Sequence, residues 1–198
     1  MQKTICSLLA MCLTCLTTYA QSDNNTVLHL VPDASKIIWK AEKVTGAHQG
    51  TVDLARGEVI LDDNNLVGGH FIIDMQSIRC TDLKEPYKAK LERHLRSKDF
   101  FATDSIPTAS LHISAVNYRD EAMNALIKGE LTIKEITHPI EFPAKVKVSN
   151  GRFAAVGVLK IDRTKYDVRY RSENFFENLG DRAIDDVFEL EVNIGAKR

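Results

Sequence analysis

Phe188-Glu189-Leu190-Glu191-Val192-Asn193-Ile194 is the stretch that decides the fold. Every second residue is apolar and the residues between are polar, so an extended chain here has one dry face and one wet face. That is the pattern of a strand whose sheet covers a core on one side only. Working back toward the N-terminus, the same period of two returns. Ile140, Phe142, Ala144, Val146 and Val148 oppose Glu141, Lys145 and Lys147, while Ile127, Leu131 and Ile133 oppose Lys128, Glu130, Thr132 and Lys134. Leu111, Ile113 and Ala115 alternate with Ser110, His112 and Ser114. Further upstream, Phe71, Ile73 and Met75 alternate with His70, Ile72 and Asp74, and Ile37, Trp39 and Ala41 with Ile38, Lys40 and Glu42.

Turn chemistry separates these runs. Asp62-Asp63-Asn64-Asn65, Asn150-Gly151 and Arg56-Gly57 are read as hairpin reversals, with Asn150-Gly151 the strongest signal. Gly68-Gly69, Gly129 and Gly157, inside runs, suit the sharp bends by which a sheet coils and closes. About eight strands sharing one apolar face cannot bury it as an open sheet. The fold class is therefore all-β, a closed or nearly closed antiparallel β-barrel of about eight strands. One segment breaks the pattern: in Lys84 to Ser97, Pro86 stands near a first turn and Tyr87, Leu91 and Leu95 fall at helical spacing. They predict one short amphipathic helix packed on the barrel end, placed to cap a mouth. A barrel of this size is either filled by its own side chains or encloses one slender ligand, and periodicity leaves both open.

The N-terminus reads as an export signal, with Lys3, an apolar stretch from Ile5 to Leu16, and Thr18-Tyr19-Ala20 as a small-residue cleavage site. Cleavage after Ala20 leaves residues 21–198 as one domain in a periplasmic or secreted setting. Of 26 Lys and Arg only Lys3 is lost, so 25 stand against 27 Asp and Glu. This near-neutral balance offers no long-range attraction to nucleic acid and no polybasic membrane patch. Cys12 and Cys15 fall inside the leader, where redox or zinc chemistry is not expected. Lipid attachment there would change location and not fold. Only Cys80 survives processing, so no intramolecular disulfide forms and stability rests on the core. Asn24-Asn25-Thr26 matches a glycosylation sequon.

Enzyme motifs are missing. The chain contains no G-x-S-x-G elbow, no phosphate loop, no dinucleotide turn and no H-E-x-x-H helix. No catalytic residue is assigned and no cofactor is required. His29, His48, His70, His94, His112 and His138 show no metal-ligand spacing. His70 and His112, with Asp74, are the one set that neighbouring strands could gather, and scattered outward histidines are the commoner case, so no metal site is expected. Arg163, Lys165, Arg169 and Arg171 either meet a phosphate or quinone head group or lie on salt-bridged strand faces.

Several runs resemble the YceI-like family of exported polyisoprenoid-binding proteins. They are Leu91, His94-Leu95, Ser97, Asp99-Phe100-Phe101, Pro107 and Ala109, then Leu131-Thr132-Ile133-Lys134 with Thr137-His138-Pro139-Ile140, Ile161-Asp162-Arg163, and Asp185-Asp186-Val187. One departure is Glu135, where a glycine is expected in the turn after Lys134. The resemblance runs from about Leu30 to Ile194. It implies a lipocalin-like barrel whose long internal tunnel holds an isoprenoid chain, such as a quinone or polyprenol tail, as bound ligand and not as cofactor. On that reading Trp39, Phe71, Ile73, Met75, Leu111, Ile113, Leu131, Ile133, Phe142, Phe153 and Leu159 face the tunnel, and Phe100, Phe101, Phe175 and Phe176 stand near a mouth. Transient membrane contact and a homodimer are both compatible with it. Two rivals stay open: a small hydrolase or isomerase at the barrel mouth with His94 or His138 as base, and a solid-core structural or interaction module.

Overall fold

The structure, a computed structural model, describes residues 25–119, 122 and 124–198. The leader expected over residues 1–20 and Asn24 of the sequon lie outside the described residues. Nine strands run in chain order: β1 (Thr26–Leu30), β2 (Lys36–Lys43), β3 (Gly46–Asp62), β4 (Asn65–Cys80), β5 (Thr108–Tyr118), β6 (Ala125–Ile133), β7 (Ile136–Ser149), β8 (Arg152–Asp162) and β9 (Ile184–Lys197). One helix, α1 (Tyr87–Arg96), interrupts them between β4 and β5.

The strands close into an antiparallel barrel. Pairing runs β3-β2-β9-β8-β7-β6-β5-β4 and returns to β3. The ninth strand adds no new position. β1 pairs with the far ends of β3 and β9 (Leu28↔Val59, Leu30↔Ala196), while β2 pairs with their other ends (Ile37↔Val52, Ile37↔Val192). β1 and β2 thus share one place in the wall, in series, joined by a short turn at Pro32–Ala34. Ser35 ties that joint down, because its hydroxyl donates to the Val31 carbonyl and accepts from the Gly195 amide. All-round closure leaves no free sheet edge, and each strand's dry face turns inward.

β3 departs from the sequence reading. Arg56-Gly57 is not a turn: it lies inside this 17-residue strand, just past a one-residue shift between Leu54 and Arg56. The glycine is there for space. A Cβ on Gly57 would sit 2.5 Å from the ring of Phe71, its partner across the strands, and one on Gly50 would sit 2.5 Å from the ring of its partner Trp39. In both pairs an aromatic ring covers the bare backbone of a glycine. A second irregularity is larger: between Thr51↔Arg79 and Asp53↔Asp74, β3 advances two residues while β4 advances five. Ser77 anchors the extra residues, accepting from the Asp53 amide at 2.7 Å and donating to the Asp74 carbonyl at 2.6 Å.

The Lys134-Glu135 departure has a simple outcome. Both residues take left-handed backbone, φ 51° and 63°, between the paired Ile133 and Ile136. This is the two-residue hairpin geometry that glycine would occupy with least strain. Helix α1 is shorter than its expected Lys84 to Ser97, and its expected apolar stripe is covered only toward the C-terminal end. Leu95 is buried and Leu91 half-buried, but Tyr87 is 68% exposed. Two substitutions check these local arguments by urea unfolding. Gly57→Ala should lose about 1–3 kcal/mol through overpacking against Phe71, and Glu135→Gly should gain up to about 1 kcal/mol by relieving left-handed strain.

Candidate functional site

The two halves of the barrel interior are built differently. The half holding the chain reversals at Asp63-Asn64 and Asn150-Gly151 is packed inside by the buried Leu28, Val59, Leu66, Ala144, Phe153 and Ala196, and opens only in a largely polar depression at its rim, lined by Leu28, Leu61, Asn64 and Asn150. The half beneath α1 contains an apolar cavity of about 150 Å³. Sequence and local structure explain the difference. Ala41 and Ala109 put small side chains on the wall of the helix half, and the extra residues of β4 let both Met75 and Ile78 face the interior there.

Seven of the expected lining residues meet at this cavity: Trp39, Ile73, Met75, Leu131 and Ile133 on the strands, and Phe100 and Phe101 from the segment after α1. The others do not reach it. Phe71, Ile113, Phe142, Phe153 and Leu159 are buried in packed core, and Leu111 is half-buried against that core. Phe175 and Phe176 lie in the β8–β9 connection, 46% and 50% exposed, and neither is part of the wall. An eight-position barrel has room for only one layer of inward side chains. Where several inward residues are large they meet and close the bore, so the expected lengthwise channel is reduced to the helix half.

Sequence reasoning passed over other wall residues. Leu91, His94 and Leu95 enter from α1, Ile78 through the irregularity in β4, and Val52 from β3. Glu42, Lys43, His48 and Asp185 also belong to the wall, where β2, β3 and β9 end beneath the cap. His48 donates from Nδ1 to Asp82 at 2.9 Å, and the Cys80 thiol donates to the same carboxylate at 3.1 Å. Burial opposes ionisation of Asp82, but hydrogen bonds from His48, Cys80 and the Gln49 amide outweigh it and hold the carboxyl below its usual range. Cys80 is fully buried, and burial together with its bond to Asp82 pushes the thiol up, the reverse of a reactive cysteine.

The residues that carry the family resemblance converge on this end. His94 packs edge-on against Tyr170 and Phe100 at centroid distances of 4.4 and 5.2 Å. Arg163, 2% exposed, lies 5.9 Å from the Phe100 ring. All five of its N–H groups are committed: Nε to the Asp185 carbonyl, one terminal nitrogen to the Val168 and Tyr170 carbonyls, the other to the Ile184 carbonyl and the Asp186 carboxylate. Asp186 also accepts from Ser172 and Asn174. The basic cluster is therefore dispersed. Arg163 is a structural strap, Arg169 pairs with Asp167 and covers Phe175, Arg171 lies over Tyr170, and the Lys165 carbonyl contacts His138.

A family model for the YceI-like domain matches residues 28–196. The chain belongs to the YceI-like family. Among solved structures the fold is similar to BcnA of Burkholderia cenocepacia, at 19% identity and TM-score 0.68 over 85% of this chain and 99% of that one. It is also similar to a polyisoprenoid binding domain from Saccharophagus degradans implicated in plant cell wall breakdown, at 14% identity and TM-score 0.63 over 86% and 97%. A Campylobacter jejuni YCEI protein follows at 16% identity and TM-score 0.54 over 76% and 81%. No curated protein matches the chain in sequence. Within this YceI-like barrel, His70 and His112 are cross-strand partners with ring centroids 6.3 Å apart, but Asp74 pairs with Thr108 four residues further along the strands. Among the described residues no group of three or more His, Cys, Asp or Glu is placed to hold a metal.

His94 makes this end of the barrel sensitive to acid. Burial, joined by the nearby Arg171 and opposed by Asp99, lowers its pKa from 6.5, so the folded protein holds it neutral where the unfolded chain protonates it. The unfolded state then binds the additional proton, and stability falls as pH drops below 6.5. Urea unfolding across that range should show a shallower fall in His94→Phe than in the wild type. An identical slope would contradict the assignment.

Proposed function

We propose that this protein binds an elongated apolar lipid of the isoprenoid class, of quinone or polyprenol type, and serves as a carrier or buffer for it after export to the periplasm or beyond. The observation that carries the reading is the apolar cavity of about 150 Å³ capped by α1 inside a YceI-like barrel. The polyisoprenoid binding domain among the structural neighbours supports the ligand class. The N-terminal sequence supports export, and the absence of enzyme motifs supports binding in place of catalysis.

Energetics favour the apolar end of such a ligand. Each buried CH₂ contributes about 0.8 kcal/mol, so a five-carbon isoprene unit contributes roughly 4 kcal/mol gross. A cavity of this size accepts a benzene-sized group, so it receives one end of the chain, and the remainder extends past the wall at Glu42, Lys43 and Asp185. Such a lipid is equally comfortable in a bilayer. Net transfer between protein and membrane is therefore nearly balanced, which suits a shuttle.

Protein purified without detergent should release an isoprenoid on organic extraction, identified by mass spectrometry. An extract without isoprenoid, from protein of native circular dichroism, overturns the proposal. Ala109→Phe, which places a ring in the cavity, should cut the bound lipid about tenfold, while the outward Lys145→Ala leaves it unchanged. Equal yields from the two variants count against the cavity as the site.

A further inference from the structure

The charges of this chain cancel in sum but not in space. Lys84 to Asp99, the segment that forms α1 and its flanks, carries six Lys and Arg against three Asp and Glu, while the rest of residues 21–198 carries nineteen against twenty-four. Within α1 the exposed residues are Tyr87, Lys90 and Arg93, a spacing of three that puts them on one face. Among the described residues Lys84, Lys88, Lys90, Arg93 and Lys98 enter no ion pair, whereas Arg96 is met by Glu92 and the Ile78 carbonyl. The cap over the cavity is thus the positive pole of an otherwise negative molecule, which the near-neutral total conceals.

The same end of the barrel exposes apolar side chains. Of the large hydrophobic residues exposed among the described residues, the five most exposed are Val44, Tyr87, Phe175, Phe176 and Val187, at 46% to 68%. They stand on the β2–β3 turn, α1, the β8–β9 connection and the start of β9, while the others, at 39% to 42%, lie along strands. These elements adjoin: the Val44 amide donates to the Ala183 carbonyl, the Gln49 amide donates to Asp82 ahead of α1, and Tyr170 packs on His94. Glu42, Lys43 and Asp185 of the cavity wall sit one or two residues from Val44 and Val187, so rim and cavity share one end. A protein partner would call for a continuous apolar patch, whereas these residues stand on four separate elements beside unpaired cations. Apolar tips among cations fit a bilayer with an anionic surface, where rings settle in the interface and Lys and Arg meet phosphate. We propose that the α1 end of the barrel docks on an anionic bilayer surface, with Lys84, Lys90, Arg93 and Lys98 on lipid phosphates and Tyr87, Phe175 and Phe176 in the headgroup layer, so that the cavity loads and empties at the membrane. This rests on the reading of the cavity as a lipid site and adds the surface from which the lipid enters.

The test is co-flotation of the purified protein with vesicles of phosphatidylcholine alone and with vesicles holding about one third phosphatidylglycerol. Each cation near an anionic surface adds about fivefold in affinity, so the protein should bind the anionic vesicles at least about tenfold better, and less so as salt rises. Lys90→Glu with Arg93→Glu should abolish that preference, and Phe176→Ser should weaken binding about tenfold. Lys145→Glu with Lys147→Glu makes the same charge change on the exposed face of β7 and should leave binding intact. Equal binding to both vesicles, full binding by the α1 double variant, or an equal loss in the β7 double variant overturns the docking face. So does a dimer, formed without vesicles, that the α1 substitutions dissociate, since it assigns the face to a second copy of the chain. Lipid is extracted from the same preparations. Protein that carries isoprenoid yet ignores both vesicles overturns docking and leaves the lipid site standing, whereas vesicle binding by protein without isoprenoid removes the lipid reading and, with it, what the docking is for.

Discussion

Arg163 has to be buried for this barrel to have a roof. A guanidinium taken out of water is costly unless its hydrogen bonds are remade in the interior, and here five N–H groups are met by four backbone carbonyls and the Asp186 carboxylate. Those partners span Val168 to Asp186, so satisfying one side chain fixes the course of the whole connection between β8 and β9. Tyr170, held through its carbonyl, then packs on His94, and the Phe100 ring lies near both His94 and the guanidinium. Helix α1, the segment after it and the β8–β9 connection lock together over the same end of the barrel. The cavity exists because this roof spans the bore instead of filling it.

A wall that is hollow at one end and solid at the other also explains how a small barrel reconciles stability with binding. The solid half supplies close packing and needs nothing from a ligand. Beneath α1, the added residues of β4, the small Ala41 and Ala109 and the flat seating of Trp39 on Gly50 leave space that only apolar matter fills well. Part of the hydrophobic stabilisation is thereby left to a guest. The proposed carrier role uses that division: the packed half holds the fold, and a lipid would gain about as much from the cavity as from a membrane.

Much of the fold was legible because period two is a local property. The clean alternation at Phe188 to Ile194 and the Asn150-Gly151 turn are read from a few residues, and the structure places them as strand and hairpin. β3 was harder. Its alternation is broken by the shift between Leu54 and Arg56, and Gly57 looks like a turn until Phe71 is seen lying across it. The site was legible in part. Period two assigns Phe142 and Leu131 to the same inward face, but whether an inward residue lines space or fills it depends on the size of neighbours on distant strands. Ile78 was invisible for a related reason, since only the mismatch of β3 and β4 turns it inward. The roles of Arg163 and Asp186 rest on contacts across 23 positions that no spacing announces.

Everything proposed for this barrel requires the half beneath α1 to be hollow and dry. Crystallography of delipidated protein under xenon pressure tests it most directly, because xenon settles in empty apolar cavities and not in packed core. Xenon density is expected among Trp39, Met75, Leu95 and Leu131, and none among Leu28, Val59 and Phe153. Side chains or ordered water filling the first site, with no xenon there, would contradict it.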